Sequence, residues 1–190
     1  SASPGSFPDA KTHRQMSSLK QFDFPELPEA LRSAGADVVV RPLEFDDNKK
    51  GFFTILSQLT SAPELSQDHY MERFMAMRAS KHYYTVVAEH LPTKKIVATA
   101  TMMIEIKFIR GGHITGHIED VCVDSSMRGR HLGVKLMHAL QAIGKELGCY
   151  KVILDCSNDN VKFYERCGFK LKEVQMAVYF NENQARRPKL

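Results

Sequence analysis

Val121-Cys122-Val123-Asp124-Ser125-Ser126-Met127-Arg128-Gly129-Arg130-His131-Leu132-Gly133-Val134 runs from a short apolar strand, through a polar turn, into a helix rich in glycine and arginine at its start. Beyond the turn, Leu132, Leu136, Ala139, Leu140, Ile143 and Leu147 form one apolar stripe, and Gly148 is placed to end the helix. A helix start presents backbone N–H groups that have no carbonyl partner, at the positive end of the helix dipole. Such amides suit a pyrophosphate; glycine lets the backbone come close, and arginine adds charge-assisted hydrogen bonds. By spacing alone, the residues fit a glycine turn with solvated arginines equally well. Two other nucleotide-binding patterns are missing: no Gly-Lys-Ser/Thr closes the loop, and no Gly-x-Gly-x-x-Gly follows the first strand.

Outward from this stretch, strands and helices follow one another with little else between them. Val38 to Arg41 reads as a first strand, stopped by Pro42. Phe52, Ile55, Leu56 and Leu59 have helical spacing behind Asp46 and Asp47 as caps. Ser66 caps a second helix with Tyr70, Met71, Phe74 and Met75 turned inward. Tyr83 to Ala88 and Ile96 to Lys107 read as a hairpin, and His117 to Val123 as the strand that enters the glycine-arginine turn. After the long helix come a buried central strand from Lys151 to Asp155, a short helix from Asn160 to Arg166, and a last strand from Lys170 to Tyr179. This order predicts an α/β fold with a mixed sheet in three layers. Residues 1 to 36, apart from a short helix over Pro28 to Ala34, read as a partly disordered extension; 37 to 180 form the domain and 181 to 190 a tail.

Bulk properties narrow the function classes. With 190 residues the chain suits one well-buried core. A net charge of +4 is too small, and the basic residues too scattered, to point to nucleic acid. No apolar run is long enough for a membrane span. Cys122, Cys149, Cys156 and Cys167 lack paired metal spacing, and no signal-peptide pattern opens the sequence, so reduced thiols in a cytoplasmic protein are expected, with no metal. The terminal Pro188-Lys189-Leu190 is a distant relative of a peroxisomal address and is read as coincidence.

Arg128-x-x-x-x-Gly133 after a Val-x-Val strand resembles the acetyl-CoA loop of the GNAT superfamily of N-acetyltransferases, with His131 where a glycine usually stands. Asn160-Val161-Lys162-Phe163-Tyr164-Glu165-Arg166-Cys167-Gly168-Phe169 resembles the same superfamily's asparagine, tyrosine, Gly-Phe signature. Within it, Arg41-Pro42-Leu43, Gln58-Leu59-Thr60, Lys107-Phe108-Ile109, Gly116 to Val121, Gly148 to Lys151 and Leu154-Asp155-Cys156 are similar to the glucosamine 6-phosphate N-acetyltransferase family.

The resemblance implies a GNAT-type acyl-CoA N-acyltransferase fold and a direct transfer of acetyl from acetyl-CoA to an amino-sugar phosphate, serving UDP-N-acetylglucosamine synthesis. Val121, Cys122, Val123, Arg128 to Val134 and Asn160 would hold the coenzyme, and Tyr164 would protonate the departing sulfur. Glu119 and Asp120 interrupt an apolar strand, where half-buried carboxylates need a cation or polar ligand. Glu119 or Asp155 is the expected base. Lys107, Arg110 and Lys151 are the expected phosphate cations, with Thr60, Phe108, Ile109 and Tyr150 completing the sugar pocket. Tyr179 stands where many relatives carry a substrate-binding arginine. Relatives are homodimers whose last strand crosses to the partner. Two rivals remain on the sequence: a GNAT enzyme for another amine or protein lysine, and a non-catalytic acyl-CoA-binding module.

Overall fold

β-Branched and aromatic residues, which favour extended backbone, are concentrated in Val38–Pro42 (β1), Tyr83–His90 (β2), Lys95–Ile106 (β3), Ile114–Val123 (β4) and Cys149–Leu154 (β5). In the computed structural model, which describes residues 16, 18–23 and 27–180, these strands form one sheet in the order β1-β2-β3-β4-β5. The first four pair antiparallel; β5 runs parallel to β4. A parallel pair needs a long crossover, and α4 (Leu132–Glu146) supplies it. The other helices are α1 (Glu29–Arg32), α2 (Phe52–Leu56), α3 (Gln67–Ser80) and α5 (Val161–Arg166). The chain divides into two units, Ser1–Leu154 and Asp155–Leu190, and each is described by itself.

The first unit has three layers. On one face of the sheet, Phe52 and Ile55 of α2 and Tyr70 and Phe74 of α3 pack with Leu43, Phe45, Val87, Ile96 and Cys122. On the other face α4 buries Leu132, Leu136, Met137, Leu140 and Ile143. Helix and sheet approach closely there: a Cβ on Gly144 would lie 2.9 Å from Val152 Cγ2. Ser66 caps α3 by accepting a hydrogen bond from the His69 N–H, as its position before the helix predicts.

Several expectations change. Asp47 does not cap α2, whose N-cap is Gly51; it closes a capping box with Glu44 on the short 3-10 turn Phe45–Lys50. Leu59 and Met75 face solvent, because α2 stops at Leu56 and α3 buries only Tyr70 and Phe74 fully. The helix expected from Pro28 shrinks to the four residues of α1. Gln21, Phe22, Leu27 and Ala34, inside the stretch read as an extension, are buried; residues 1–15 and the tail 181–190 lie outside the described residues. β5 is an edge strand with Tyr150 and Lys151 exposed, not a covered one, since among the described residues only β4 pairs with it. In the second unit α5 ends at Gly168, whose φ is +89°, but residues 169–180 join no ladder. The alternation of Val174, Met176 and Val178 marks a strand only where an edge is offered, and no pairing forms among the described residues. No helix among the described residues is long and apolar enough to cross a membrane.

A buried ion cluster ties β1 and β2 to the 3-10 turn. Arg41 donates to both Asp47 carboxylate oxygens, at 2.7 and 2.8 Å, and to Glu89 Oε2 at 2.6 Å; Lys50 Nζ lies 3.0 Å from Asp47. The Asp47 side chain is fully buried. Burial alone would raise its pKa, but the hydrogen bonds and charge of Arg41 outweigh that and hold it below the usual carboxylate range.

Replacing Arg41→Met strands that carboxylate and should cost about 3–5 kcal/mol of unfolding free energy, read as a lower urea midpoint. The wild-type contribution is complete above the unfolded carboxyl pKa, near about 4, and fades as pH falls through the lower folded value. The difference between variant and wild type should therefore shrink below that pH.

Candidate active site

β4 is shared by two neighbours over only part of its length. β3 pairs with it from Ile114 to Val123, whereas β5 pairs only with Ile114 to Ile118. Past Ile118 no strand among the described residues pairs with β4 on its β5 side, so an extended ligand could be added there as a strand would. At that departure a bulge interrupts the β3–β4 register between Thr99 and Thr101, and Asp120 adopts φ +53°. Simple alternation therefore fails at Glu119 and Asp120: both are exposed, not half-buried in the strand. Their surroundings differ, however, because desolvation raises the Asp120 carboxyl above its ordinary pKa.

Past Val123 the turn is braced from within. Asp124 accepts from the Ser126 N–H at 2.8 Å and the Ser126 hydroxyl at 2.6 Å, which hold its carboxyl below the usual range. Gln58, at the end of α2, accepts from the Ser125 N–H at 3.0 Å. The chain then passes through two left-handed residues, Gly129 at φ +81° and His131 at φ +59°, before α4 begins. His131 is the N-cap of α4 and its side chain makes no capping bond. The Lys135 N–H donates to the His131 carbonyl at 3.1 Å, so Leu132, Gly133 and Val134 precede the helix ladder and their amides are the open donors of its first turn. Arg128 is exposed and makes no ion pair among the described residues; Arg130 is paired with Asp37. Cys122 belongs to the core and its thiol donates to the Ile55 carbonyl at 3.1 Å, so beside Val121 and Val123 it offers a ligand backbone only. An open strand edge leading to uncapped helix amides and an exposed arginine fits a pantetheine arm that ends in a pyrophosphate.

Cations gather at the opposite end of β4. Arg110 and Lys151 lie 5.8 and 5.6 Å from the centre of the Tyr150 ring, and the His113 ring is 6.3 Å from it. Proximity of the Thr115 side chain, then the charges of Lys151 and Arg110, hold the Tyr150 phenol below its ordinary pKa, although the buried Thr115 hydroxyl makes no hydrogen bond of good geometry among the described residues. Lys107 is less available than its sequence position implies, because it sits 2.5 Å from Glu105, which also meets His117 at 2.8 Å. Both partners lower the Glu105 carboxyl, Lys107 foremost. Lys151 pairs with Thr115 in register, four residues from Glu119 and so about 13 Å away along the strand. Thr60 is exposed just after α2, and Phe108 and Ile109 are exposed between β3 and β4.

In the second unit, Asn160 precedes α5 and Tyr164 lies within it, its ring against Phe163 at 4.9 Å and Phe169 at 6.1 Å. The Tyr164 carbonyl accepts from the N–H groups of Cys167 and Phe169, which folds the Gly-Phe end of the signature back onto the helix. Asp155 accepts from Gln175 at 3.0 Å, and Tyr179 is 91% exposed.

This chain belongs to the acetyltransferase (GNAT) family, whose model matches residues 50–169. It is similar to the probable glucosamine 6-phosphate N-acetyltransferase 2 of Oryza sativa subsp. japonica, 43% identical over 82% of this chain and 96% of that protein. Glucosamine 6-phosphate N-acetyltransferase 1 of Dictyostelium discoideum is 44% identical over 73% of this chain and 88% of its own length. Among solved structures, glucosamine-6-phosphate N-acetyltransferase from Arabidopsis thaliana superposes with a TM-score of 0.74 at 43% identity, covering 76% of this chain and 99% of that one.

Sequence patterns missed Gln58, Asp124 and His113 as parts of this arrangement. Gln58 and Asp124 act by bracing a turn, and only their meeting at 3.4 Å reveals it. The left-handed backbone at residue 131 explains the glycine usual there: a Cβ at that φ costs about 1–2 kcal/mol. His131→Gly should relieve that strain, offset by the greater freedom of glycine in the unfolded chain, so melting temperature should hold or rise slightly with the acetyl-CoA KM near wild type. The β-branched His131→Val should lower stability by about 1–2 kcal/mol and raise that KM.

Proposed function

We propose that the protein transfers the acetyl group of acetyl-CoA to the amine of glucosamine 6-phosphate, giving N-acetylglucosamine 6-phosphate and CoA. The observation that carries this reading is the similarity, at 43–44% identity over most of the chain, to proteins named for that reaction. The layout along β4 supports it: an open edge and helix amides for the coenzyme, carboxylates at the bulge, and cations at the far end for a phosphate. A polyamine or protein lysine is cationic and would meet Arg110 and Lys151 unfavourably. The product would enter UDP-N-acetylglucosamine synthesis in the cytoplasm.

The coenzyme supplies the thioester. Amides of Leu132, Gly133 and Val134, with Arg128, bind the pyrophosphate, and β4 beyond Glu119 orients the arm. Arg110 and Lys151 hold the sugar phosphate, so both reactants share one site before reaction. Glu119 or Asp155 takes a proton from the ammonium, directly or through water. The neutral nitrogen bonds to the acetyl carbon as the C–S bond breaks. The phenol of Tyr164 gives its proton to the departing sulfur. A non-catalytic binder would need neither the tyrosine nor the carboxylates.

We also propose a homodimer in which residues 170–180 pair with a second copy. Supporting this, Val174, Met176 and Val178 are 89%, 91% and 76% exposed, Phe108 is fully exposed, and β5 pairs on one side only.

Thiol release from acetyl-CoA should require glucosamine 6-phosphate, with spermidine giving little; the reverse preference would overturn the substrate. Tyr164→Phe should lower kcat at least about a hundredfold with CoA binding retained. Sedimentation should give twice the chain mass, and the double replacement Met176→Asp, Val178→Asp should return a monomer.

A further inference from the structure

Arg130 lies between the two left-handed residues of the coenzyme turn, and its guanidinium pairs beyond that turn. It reaches back across 93 positions to the Asp37 carboxylate at the start of β1. Its other terminal nitrogen lies 3.6 Å from Met127 Sδ, at the start of the same turn. Asp37 in turn has further partners. Its second oxygen is 3.3 Å from His90 Nε2, and His90 Nδ1 shares a hydrogen bond with the Thr93 hydroxyl at 2.8 Å. Its carbonyl accepts from the Leu91 N–H at 2.8 Å. The start of β1, the β2–β3 turn and the loop before α4 thus converge on one carboxylate.

The preceding segment closes around the same point. Gly35, at φ +95°, passes so close that a Cβ there would lie 3.4 Å from Asp37 Oδ1 and 3.5 Å from Arg130 Nη2. Lys135, in the first turn of α4, donates to the Ala30 carbonyl at 2.6 Å. A turn with left-handed residues at 129 and 131 holds its shape only where the surroundings over-determine it. Since Arg130 is neutralised by its partner, Arg128 remains as the exposed cation of the turn.

We propose that Asp37 is a positioning residue for the coenzyme: by gripping Arg130 it fixes the Met127–His131 backbone and so presents the α4 amides in the geometry a pyrophosphate requires. It acts through Arg130 and touches no reactant. The inference rests on the coenzyme assignment made above, and its value lies in preorganisation: a turn already in its bound shape loses less freedom on binding.

Calorimetric titration with CoA alone separates this inference from the catalytic reading, because it needs no sugar. Wild type should bind CoA; if it does not, the coenzyme assignment itself fails. Given binding, Asp37→Asn should weaken CoA about tenfold, the loss expected for one charge-assisted contact. It should raise the acetyl-CoA KM in step, while kcat and the glucosamine 6-phosphate KM stay within about twofold. In an Arg130→Met background, Asp37→Asn should have no further effect on CoA affinity. Unchanged CoA affinity in Asp37→Asn overturns the proposal. So do additive losses in the double variant, or a parallel fall in kcat and both affinities, which would mark general loosening.

Discussion

The arrangement depends on how β4 is paired. β3 accompanies it throughout, but β5 leaves after Ile118, and the bulge at Asp120 comes at that departure. One strand therefore serves as an interior member of the sheet at its start and as an edge at its end. An interior strand has no backbone groups to offer, and a wholly free edge has no rigid frame behind it. β4 has both, because β3 and the two helical layers hold it while, among the described residues, no strand pairs with its second side past Ile118. The glycine-arginine turn, Asp124 to His131, then carries the chain from the end of this strand to the start of α4.

Rigidity around that line comes from polar contacts between elements distant in the chain. Gln58 fastens the end of α2 to Asp124 and Ser125, and Arg130 fastens the turn to Asp37. The Arg41, Asp47 and Glu89 cluster holds β1 and β2 against the segment that leads into α2. These charges are buried or partly so, and each has its partner, as a low-dielectric setting demands. The two ends of β4 differ in kind: uncapped amides and Arg128 at one, and a cluster of Arg110, His113, Tyr150 and Lys151 at the other. Glu119 and Asp120 lie between them. A substrate with a phosphate at one end and an amine toward the other matches that polarity.

Much of the order of elements could be read from period and punctuation. The stripe of α4, the Ser66 cap, the β2–β3 hairpin and the glycine after α5 all depend on residues within one or two turns of each other. The glycine-arginine turn and the Asn160 to Phe169 signature were legible for the same reason, as local strings. Where the reading failed, the cause was a partner elsewhere. Lys151 to Asp155 has the apolar texture of a covered strand, yet β5 has one neighbour. Val174, Met176 and Val178 alternate properly and still join no ladder among the described residues.

The sequence by itself determined the α/β class and the placing of the glycine-arginine turn before α4, since these follow from local periodicity and backbone preference. Only the tertiary structure decided which arginine is exposed and which is held, that Lys107 is engaged by Glu105, that Cys122 is part of the core, and that β4 opens after Ile118. Each of these is a meeting between residues far apart in the chain. Ion pairing, burial and strand register belong to such meetings, and no local pattern records them.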